Sequence, residues 1–123
     1  LAKINGIGTH IGKGENIWSN VHIQDLADLY VLALERAQPG SLFFAENGSA
    51  SFKEMALAIN RRYHFGSETA SIDIDDAIRL WGAEGAHFAF GSNSRVKADK
   101  AKKLLGWTPK HDSLLQFLES LEE

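Results

Sequence analysis

The stretch Trp18-Ser19-Asn20-Val21-His22-Ile23-Gln24-Asp25-Leu26-Ala27 contains a change from one structural pattern to another. Val21-His22-Ile23 has the length and composition of a short strand. From residue 25 to residue 38 apolar side chains recur at helical spacing, and the carboxylate of Asp25 is placed to accept the first free N–H groups of that helix. We expect the apolar side of the helix, Tyr30 included, to lie in the core. The stretch therefore predicts a strand that leads directly into a helix.

Short strands and helices alternate on both sides of this junction. Upstream, Thr9-His10-Ile11 predicts a strand; downstream, the apolar run at residues 41–45 has strand length and is closed by the turn signal Asn47-Gly48. A further strand is predicted at residues 69–72. Further helices are predicted from their capping and terminating residues, at residues 51–64, 73–82 and 98–105 and from residue 113 onwards. The alternation indicates an α/β fold, or α+β for this chain taken alone.

Composition limits the classes of function. The 123 residues are 44% hydrophobic and 24% charged, which is ordinary for one globular domain. The net charge of −3 gives no general attraction to nucleic acid or anionic membranes, and no apolar stretch approaches membrane-helix length. Cysteine is absent, which excludes disulfides and is compatible with the cytoplasm, the expected location. Because the chain starts without Met, we expect it to be a piece of a longer protein.

Three motif tests argue against catalytic, cofactor-binding or metal-binding residues in this chain. The glycines at 6, 8 and 12 lack the spacing of a dinucleotide loop, and a strand follows them where that loop needs a helix. Neither Tyr30 nor Tyr63 has a lysine four residues later, so the tyrosine–lysine pair of short-chain dehydrogenases is missing. The five histidines show no i, i+4 pairing and no neighbouring carboxylates of the kind a metal site needs.

The loop Gly91-Ser92-Asn93-Ser94-Arg95 is rich in hydrogen-bond donors. An arginine fork, an amide and two hydroxyls can bind a phosphate or a carboxylate. An ordinary turn with a surface arginine explains the same residues equally well. The lysines that follow at residues 97–103 are interpreted as a solvated helix face, because the aromatic residues that stack on nucleic acid are missing there.

Three phrases together resemble the extended, or atypical extended, short-chain dehydrogenase/reductases of the NAD-dependent epimerase/dehydratase family. The junction at residues 18–27 resembles the family's VHVxDLA phrase. Residues 48–56 are similar to its S-x-x-E helix after an Asn-Gly turn, and residues 92–109 are close to its KAxxxLGWxP ending. The phrases occur in the family's order and span about residues 9–118.

The resemblance implies that residues 1–123 are the C-terminal, substrate-binding domain of a Rossmann-type extended fold. The N-terminal half would then lie outside this sequence, where it would bind NAD or NADP and carry the catalytic Tyr and Lys. That half and a small-molecule substrate are the expected partners, and the chain alone should bind no cofactor. Residues 42–45 resemble a late strand of the missing sheet, so we expect the chain alone to self-associate through residues 42–44.

The resemblance also implies a substrate site formed by Trp18, Asn20, His22, Asn93 and Arg95. Many nucleotide-sugar members have an arginine where this chain has Trp18, and an indole cannot pair with diphosphate charge. A smaller, more apolar or carbonyl-bearing substrate is therefore favoured, although Trp18 could equally be a packing residue. The implied parent is an NAD(P)-dependent oxidoreductase, epimerase or dehydratase; the alternative is a non-catalytic, NmrA-like binding or regulatory protein with the same fold.

Overall fold

The computed structural model describes residues 1–122, which form six α-helices, one π-helical segment and four short strands. The helices are Ala2–Asn5 (α1), Ile23–Arg36 (α2), Phe52–Tyr63 (α3), Ile74–Glu84 (α4), Asp99–Leu105 (α5) and Leu114–Ser120 (α6). The π-helical segment is Gly85–Phe90, and the strands are Thr9–Ile11 (β1), Ile17–Ser19 (β2), Ser49–Ser51 (β3) and Ala70–Ile72 (β4). None of the helices within residues 1–122 combines the length and the apolar character that crossing a bilayer requires.

The strands form two separate pairs. β1 runs parallel to β4, with Thr9 opposite Ala70, and β2 runs antiparallel to β3, with Ile17 opposite Ser51. The predicted strands at residues 9–11 and 69–72 are thus confirmed, the second beginning one residue later. Strands that pair in both directions and alternate with helices confirm the α/β class.

The strand at the central junction lies earlier than the sequence predicts. β2 ends at Ser19, and His22 is already the N-cap of α2, where its Nδ1 accepts a hydrogen bond of 3.2 Å from the Gln24 N–H. The strand prediction for residues 21–23 is therefore wrong. A strand needs a neighbour, and the neighbours available here, β3 and residues 92–96, pair with residues 17–19.

Residues 41–45 form no strand, which corrects a second prediction. The segment follows strand-like alternation, because Phe43 and Ala45 pack on the core while Leu42 is 68% exposed and Phe44 51% exposed. No strand lies beside it within the described part of the chain. An extended segment without a neighbour has no ladder of hydrogen bonds and remains an irregular chain.

The main core joins α2 to α5 and the segment after α5. Its buried members are Leu29, Ala98, Ala101, Leu105 and Trp107. Tyr30 is not among them: its side chain is 66% exposed, so the prediction that it belongs to the core is wrong. Leu29 takes the inward position, and the next residue along a helix points about 100° away.

Helix capping follows the sequence closely. The Ser51–Glu54 and Ser113–Gln116 capping boxes are both formed, and Asp73 caps α4 by accepting from the N–H of Asp76. α3 ends at His64, whose φ of 57° is left-handed, in agreement with the helix predicted over residues 51–64.

Backbone contact between β1 and α3 depends on Gly8. A Cβ atom there would lie 2.3 Å from the Ala56 carbonyl oxygen, so only glycine allows the two elements to approach this closely. The Gly8 N–H donates to the Asn60 side-chain oxygen at 2.6 Å, and the Asn60 amide donates to the Glu68 carbonyl at 2.6 Å. Buried Asn60 thus ties α3 to the two segments that lead into the strands of the parallel pair.

Candidate functional site

β2 and residues 92–96 lie side by side and form a short ledge that carries three of the five predicted substrate residues. The Ile17 N–H donates to Oδ1 of Asn93 at 2.8 Å, and the Ser94 N–H donates to the Ile17 carbonyl at 2.9 Å. Ser19 completes the pairing through its N–H to the Ser94 carbonyl at 2.8 Å. The ledge therefore places Trp18, Asn93 and Arg95 close together, although they are far apart in sequence.

Trp18 holds the ledge in position. Its indole N–H lies 3.1 Å from the Ser92 carbonyl and 3.3 Å from the Ser92 hydroxyl, and its ring meets Phe52 edge to face with centroids 6.2 Å apart. The packing role that the sequence left open for Trp18 is thus present. A half-buried ring whose one donor is already used can offer a ligand only an apolar surface.

Asn93 and Arg95 differ in how their polar groups are used. The Asn93 side-chain oxygen is committed to the ledge, whereas its NH2 group makes no hydrogen bond to residues 1–122. Arg95 is exposed and forms neither an ion pair nor a hydrogen bond with the described residues. Both side chains can therefore donate to a carbonyl, carboxylate or phosphate oxygen.

Asn20 and His22 line a separate cleft of about 250 Å3 beside the start of α2, together with Leu114 and Phe117 of α6. The Asn20 backbone is fixed by the loop that precedes β3: its carbonyl accepts from Asn47 at 2.7 Å. The structure therefore divides the five predicted residues into a group of three on the ledge and a group of two in this cleft.

The ring of His22 stacks on the ring of His111, with centroids 4.0 Å apart and planes 8° apart. His111 in turn places Nδ1 2.9 Å from Oδ1 of Asp25. Because an ionised carboxylate can only accept, Nδ1 of His111 is the donor in this bond and Nε2 of a neutral ring is left as an acceptor. Asp25 therefore fixes the orientation of the His111 ring, and the His111 ring in turn supports the His22 ring that lines the cleft.

The sequence pattern predicted the wrong role for the carboxylate of Asp25. It was predicted to cap α2, but it is fully buried and its oxygens accept from the N–H groups of Lys110 at 2.9 Å and His111 at 3.0 Å. Its own carbonyl accepts from the Trp107 indole at 2.9 Å. A sequence signal existed: Asp25 stands four residues before Leu29, so the two share the inward face of the helix.

The environment of Asp25 favours its charged form. Burial raises the pKa of a carboxyl, but the hydrogen bonds from Lys110 and His111 outweigh it and lower the pKa of Asp25 to about 2. Buried Glu46 behaves similarly. Burial opposes its ionisation, yet hydrogen bonds from the N–H groups of Gly48 and Ala98, with the Lys102 charge, lower its pKa. Glu46 thereby ties the loop before β3 to the start of α5.

Among residues 1–122 no three His, Cys, Asp or Glu side chains are arranged to hold a metal ion. The glycine-containing segment before β1 does not fit a dinucleotide either, because it leads into a strand and provides no helix N-terminus for a pyrophosphate. The unused amide donor of Asn93 on the ledge and the stacked histidine rings beside the cleft are suited to binding and orienting a molecule by hydrogen bonds and stacking.

No family model matches the chain. An uncharacterised protein of Schizosaccharomyces pombe is 33% identical over 127 residues, which cover 98% of this chain and 40% of that protein. An oxidase named ucsJ from an Acremonium species is 30% identical over 135 residues, which cover 93% of this chain and 38% of the oxidase. The chain thus spans about two fifths of the length of the curated relatives it matches.

Solved structures with similar folds include the following two. A conserved protein of unknown function from Silicibacter pomeroyi matches with a TM-score of 0.70 and 20% identity, over 91% of this chain and 39% of that chain. UDP-glucuronic acid 4-epimerase from Bacillus cereus, in complex with NAD, matches with a TM-score of 0.66 and 17% identity, over 97% of this chain and 34% of that chain. The α/β fold of this chain is therefore similar to about a third of an epimerase structure.

Proposed function

We propose that this chain is the C-terminal, substrate-binding domain of an NAD(P)-dependent oxidoreductase or epimerase/dehydratase of the extended short-chain dehydrogenase/reductase type. The observation that carries the proposal is the fold similarity to an NAD-complexed epimerase over 97% of the chain. The identity of 30% to an oxidase supports the oxidoreductase class. NAD or NADP would be held by the part of the protein outside this sequence, and when bound it supplies hydride transfer.

In this proposal the ledge is the part of the chain that binds and orients the substrate. Arg95 and the amide of Asn93 offer donors to the oxygen atoms of a substrate, and Trp18 offers an apolar surface beside them. Asn20 and His22 would bind a second part of the substrate in the neighbouring cleft. At the position of Trp18 a diphosphate would need a cation, and an indole carries no charge. A small apolar or carbonyl-bearing substrate therefore fits these five residues best.

The proposed function is tested on the full-length protein with NADH and NADPH and a panel of small carbonyl compounds. Oxidation of the reduced cofactor that depends on one of these compounds would support the oxidoreductase. Cofactor binding by calorimetry without turnover of any compound would instead favour the regulatory, NmrA-like alternative. Absence of both binding and turnover would contradict both assignments.

Replacing Arg95 with alanine is expected to weaken substrate binding about 10- to 100-fold in the full-length protein, because a charge-assisted hydrogen bond contributes about 1.5–3 kcal/mol. The melting temperature should stay unchanged, since the Arg95 side chain is exposed and forms no hydrogen bond or ion pair with the described residues. Lys103→Ala removes an exposed charge of the same sign from α5 and serves as the control. Normal substrate affinity in Arg95→Ala, or loss of its fold, would contradict the role of Arg95.

An apolar stripe on the outside of α2 supports the proposed contact with the rest of the protein. Ile23 is 71% exposed, Tyr30 66% and Leu34 87%, and their spacing places them on one face. Leu42 and Phe44 add exposed apolar area on an extended segment that has no neighbouring strand within residues 1–122. We propose that the N-terminal half covers these surfaces and adds the strand neighbour that residues 42–45 lack.

The chain expressed alone is therefore expected to self-associate, because exposed apolar area and an unpaired extended segment favour contact between copies. Light scattering should show a mass that rises with concentration. The double variant Leu42→Asp/Phe44→Asp should remain monomeric at concentrations where the unmodified chain associates. Leu80→Asp, which changes an exposed leucine of α4, is the control and should associate like the unmodified chain. A strictly monomeric unmodified chain would contradict this prediction.

A further inference from the structure

A cavity of about 690 Å3 lies between α1, β1, α3, α4 and α6, and none of the five proposed substrate residues lines it. Its size is within the range typical of small-molecule sites. Along α3 the lining extends from Phe52 in the first turn to Tyr63 at the end, which is about 16 Å at about 1.5 Å per residue. The cavity is therefore long enough to hold a molecule with an extended chain.

The walls along this length are aliphatic. Met55 and Ile59 come from one face of α3, and Leu114 and Leu118 come from one face of α6. Walls of this kind bind a hydrocarbon chain by removing its surface from water. A molecule whose body is polar would lose its hydration here without gaining hydrogen bonds.

Three aromatic rings line the end of the cavity where α3 begins. The ring of Phe90 lies 6.1 Å from that of Phe52 and 4.6 Å from that of Trp81, measured between centroids. Because these rings supply apolar surface and no charge, this end is suited to the tail of a chain.

The opposite end carries an accessible positive charge. Lys3 lines the cavity there and is exposed, and its ammonium lies 4.8 Å from the centre of the Tyr63 ring. It forms no ion pair with a carboxylate among residues 1–122. The contact with a neutral ring leaves the charge in place, and the flexible stem lets the N–H donors turn towards a ligand.

A second cation lies on the same ring. Cζ of Arg62 is 5.2 Å from the centre of the Tyr63 ring, and Nε of Arg62 donates to the Leu121 carbonyl. The carboxylate of Glu119 on α6 is paired with Arg61 at 2.6 Å instead. Positive charge is therefore concentrated at the Tyr63 end of the cavity, opposite the aromatic end.

We propose that this cavity binds a medium-chain carboxylate, with its hydrocarbon chain along α3 and its carboxylate paired with Lys3 at the Tyr63 end. An apolar cavity with one charged end matches an amphipathic anion, whereas an uncharged hydrocarbon would leave Lys3 unused. The site uses none of the proposed substrate residues, so the proposal does not depend on the oxidoreductase assignment.

The test titrates the full-length protein with decanoate and with 1-decanol, which has the same chain and no charge. The methyl group of Met55, the one methionine among the 123 residues, reports on the cavity in a 13C NMR spectrum and is identified by its loss in Met55→Leu. Decanoate is expected to shift this signal in a saturable way. Absence of binding, or binding that leaves the Met55 signal in place, would overturn the proposal.

Replacing Lys3 with glutamine tests the ion pair. The affinity for decanoate should fall about three- to fivefold, the upper range for an exposed ion pair, while the affinity for 1-decanol stays unchanged. Lys103→Gln removes an exposed charge from α5, which does not line the cavity, and should change neither affinity. Equal decanoate affinities in Lys3→Gln and the unmodified protein, or equal losses in the two variants, would overturn the proposal.

Ile59→Trp tests the location, because the larger side chain fills the cavity. Binding of decanoate should weaken at least about tenfold. Unchanged affinity in a folded Ile59→Trp variant would place the chain elsewhere and overturn the proposal. If circular dichroism shows that this variant does not fold, the Met55 shift and the loss in Lys3→Gln decide the matter: both together support the proposal, and the absence of either overturns it.

Discussion

Replacing Trp107 with alanine is expected to lower the free energy of unfolding by about 3–5 kcal/mol, the range for deleting a buried aromatic side chain. The indole is 2% exposed and packs with Leu29 and Leu105, and its N–H donates to the Asp25 carbonyl at 2.9 Å. Both the cavity and the lost hydrogen bond destabilise the variant. Urea unfolding of the two proteins measures the effect. The comparison is valid if the unfolding free energy of both falls with urea concentration at the same slope.

Two further variants separate the contributions at this position. Trp107→Phe keeps most of the apolar contact but removes the donor, so its loss should be smaller, about 1–3 kcal/mol. Leu104→Ala, in α5 with 66% of the side chain exposed, should change the stability by less than about 0.5 kcal/mol. A loss under about 1 kcal/mol for Trp107→Ala would mean that the ring contributes little to the core.

Replacing Asp25 with alanine is expected to cost about 3–5 kcal/mol, because several donors lose their acceptor at once and each buried donor left without a partner costs about 1–3 kcal/mol. The substitution leaves the N–H groups of Lys110 and His111 and the His111 ring without their acceptor. Because His111 also supports the ring of His22, the cleft should lose its shape, and the histidine signals in an NMR spectrum should show this. Asp28→Asn, an exposed carboxylate one turn from Asp25, is the matched control.

The stabilisation by Asp25 is also expected to depend on pH. Burial opposes ionisation, but the hydrogen bonds prevail and hold the pKa at about 2 in the folded protein, against an ordinary value of 3.8. The contribution is therefore fully present above about pH 4 and is lost as the pH falls through about 2. The difference in unfolding free energy between the unmodified protein and Asp25→Asn should shrink over this window. A difference that stays constant down to pH 2 would contradict the assigned role.

Local chemistry made much of the fold predictable. The capping boxes beginning at Ser51 and Ser113 and the helix end at Gly106 are formed by residues within a few positions of each other, so a single sequence carries the full information. The strand at residues 9–11 follows from its composition. These elements are confirmed because nothing distant competes with them.

The predictions that proved wrong concern residues whose structure depends on contacts with a distant part of the chain. Residues 21–23 form no strand because β3 pairs with residues 17–19 instead. Asp25 does not cap α2 because its oxygens accept from Lys110 and His111, which lie 85 and 86 residues away. The exposure of Tyr30 follows from which face of α2 meets α5. None of these pairings can be read from spacing along the chain.

The candidate site was predictable only in part. Trp18, Asn93 and Arg95 lie on one ledge because backbone pairing over more than 70 positions brings them together, which the resemblance implied and local patterns did not.

The tie between Asp25 and Lys110 has a consequence for how the protein is made. At synthesis rates of about 5–20 residues per second, the 85 positions between them correspond to about 4–17 s during which Asp25 has been made and its partners have not. Over that interval α2 carries an ionised carboxylate on the face that must later be buried. Because burying an unpaired charge is costly, we expect this carboxylate to disfavour early packing of that face against apolar partners, so that docking of residues 107–111 completes the core.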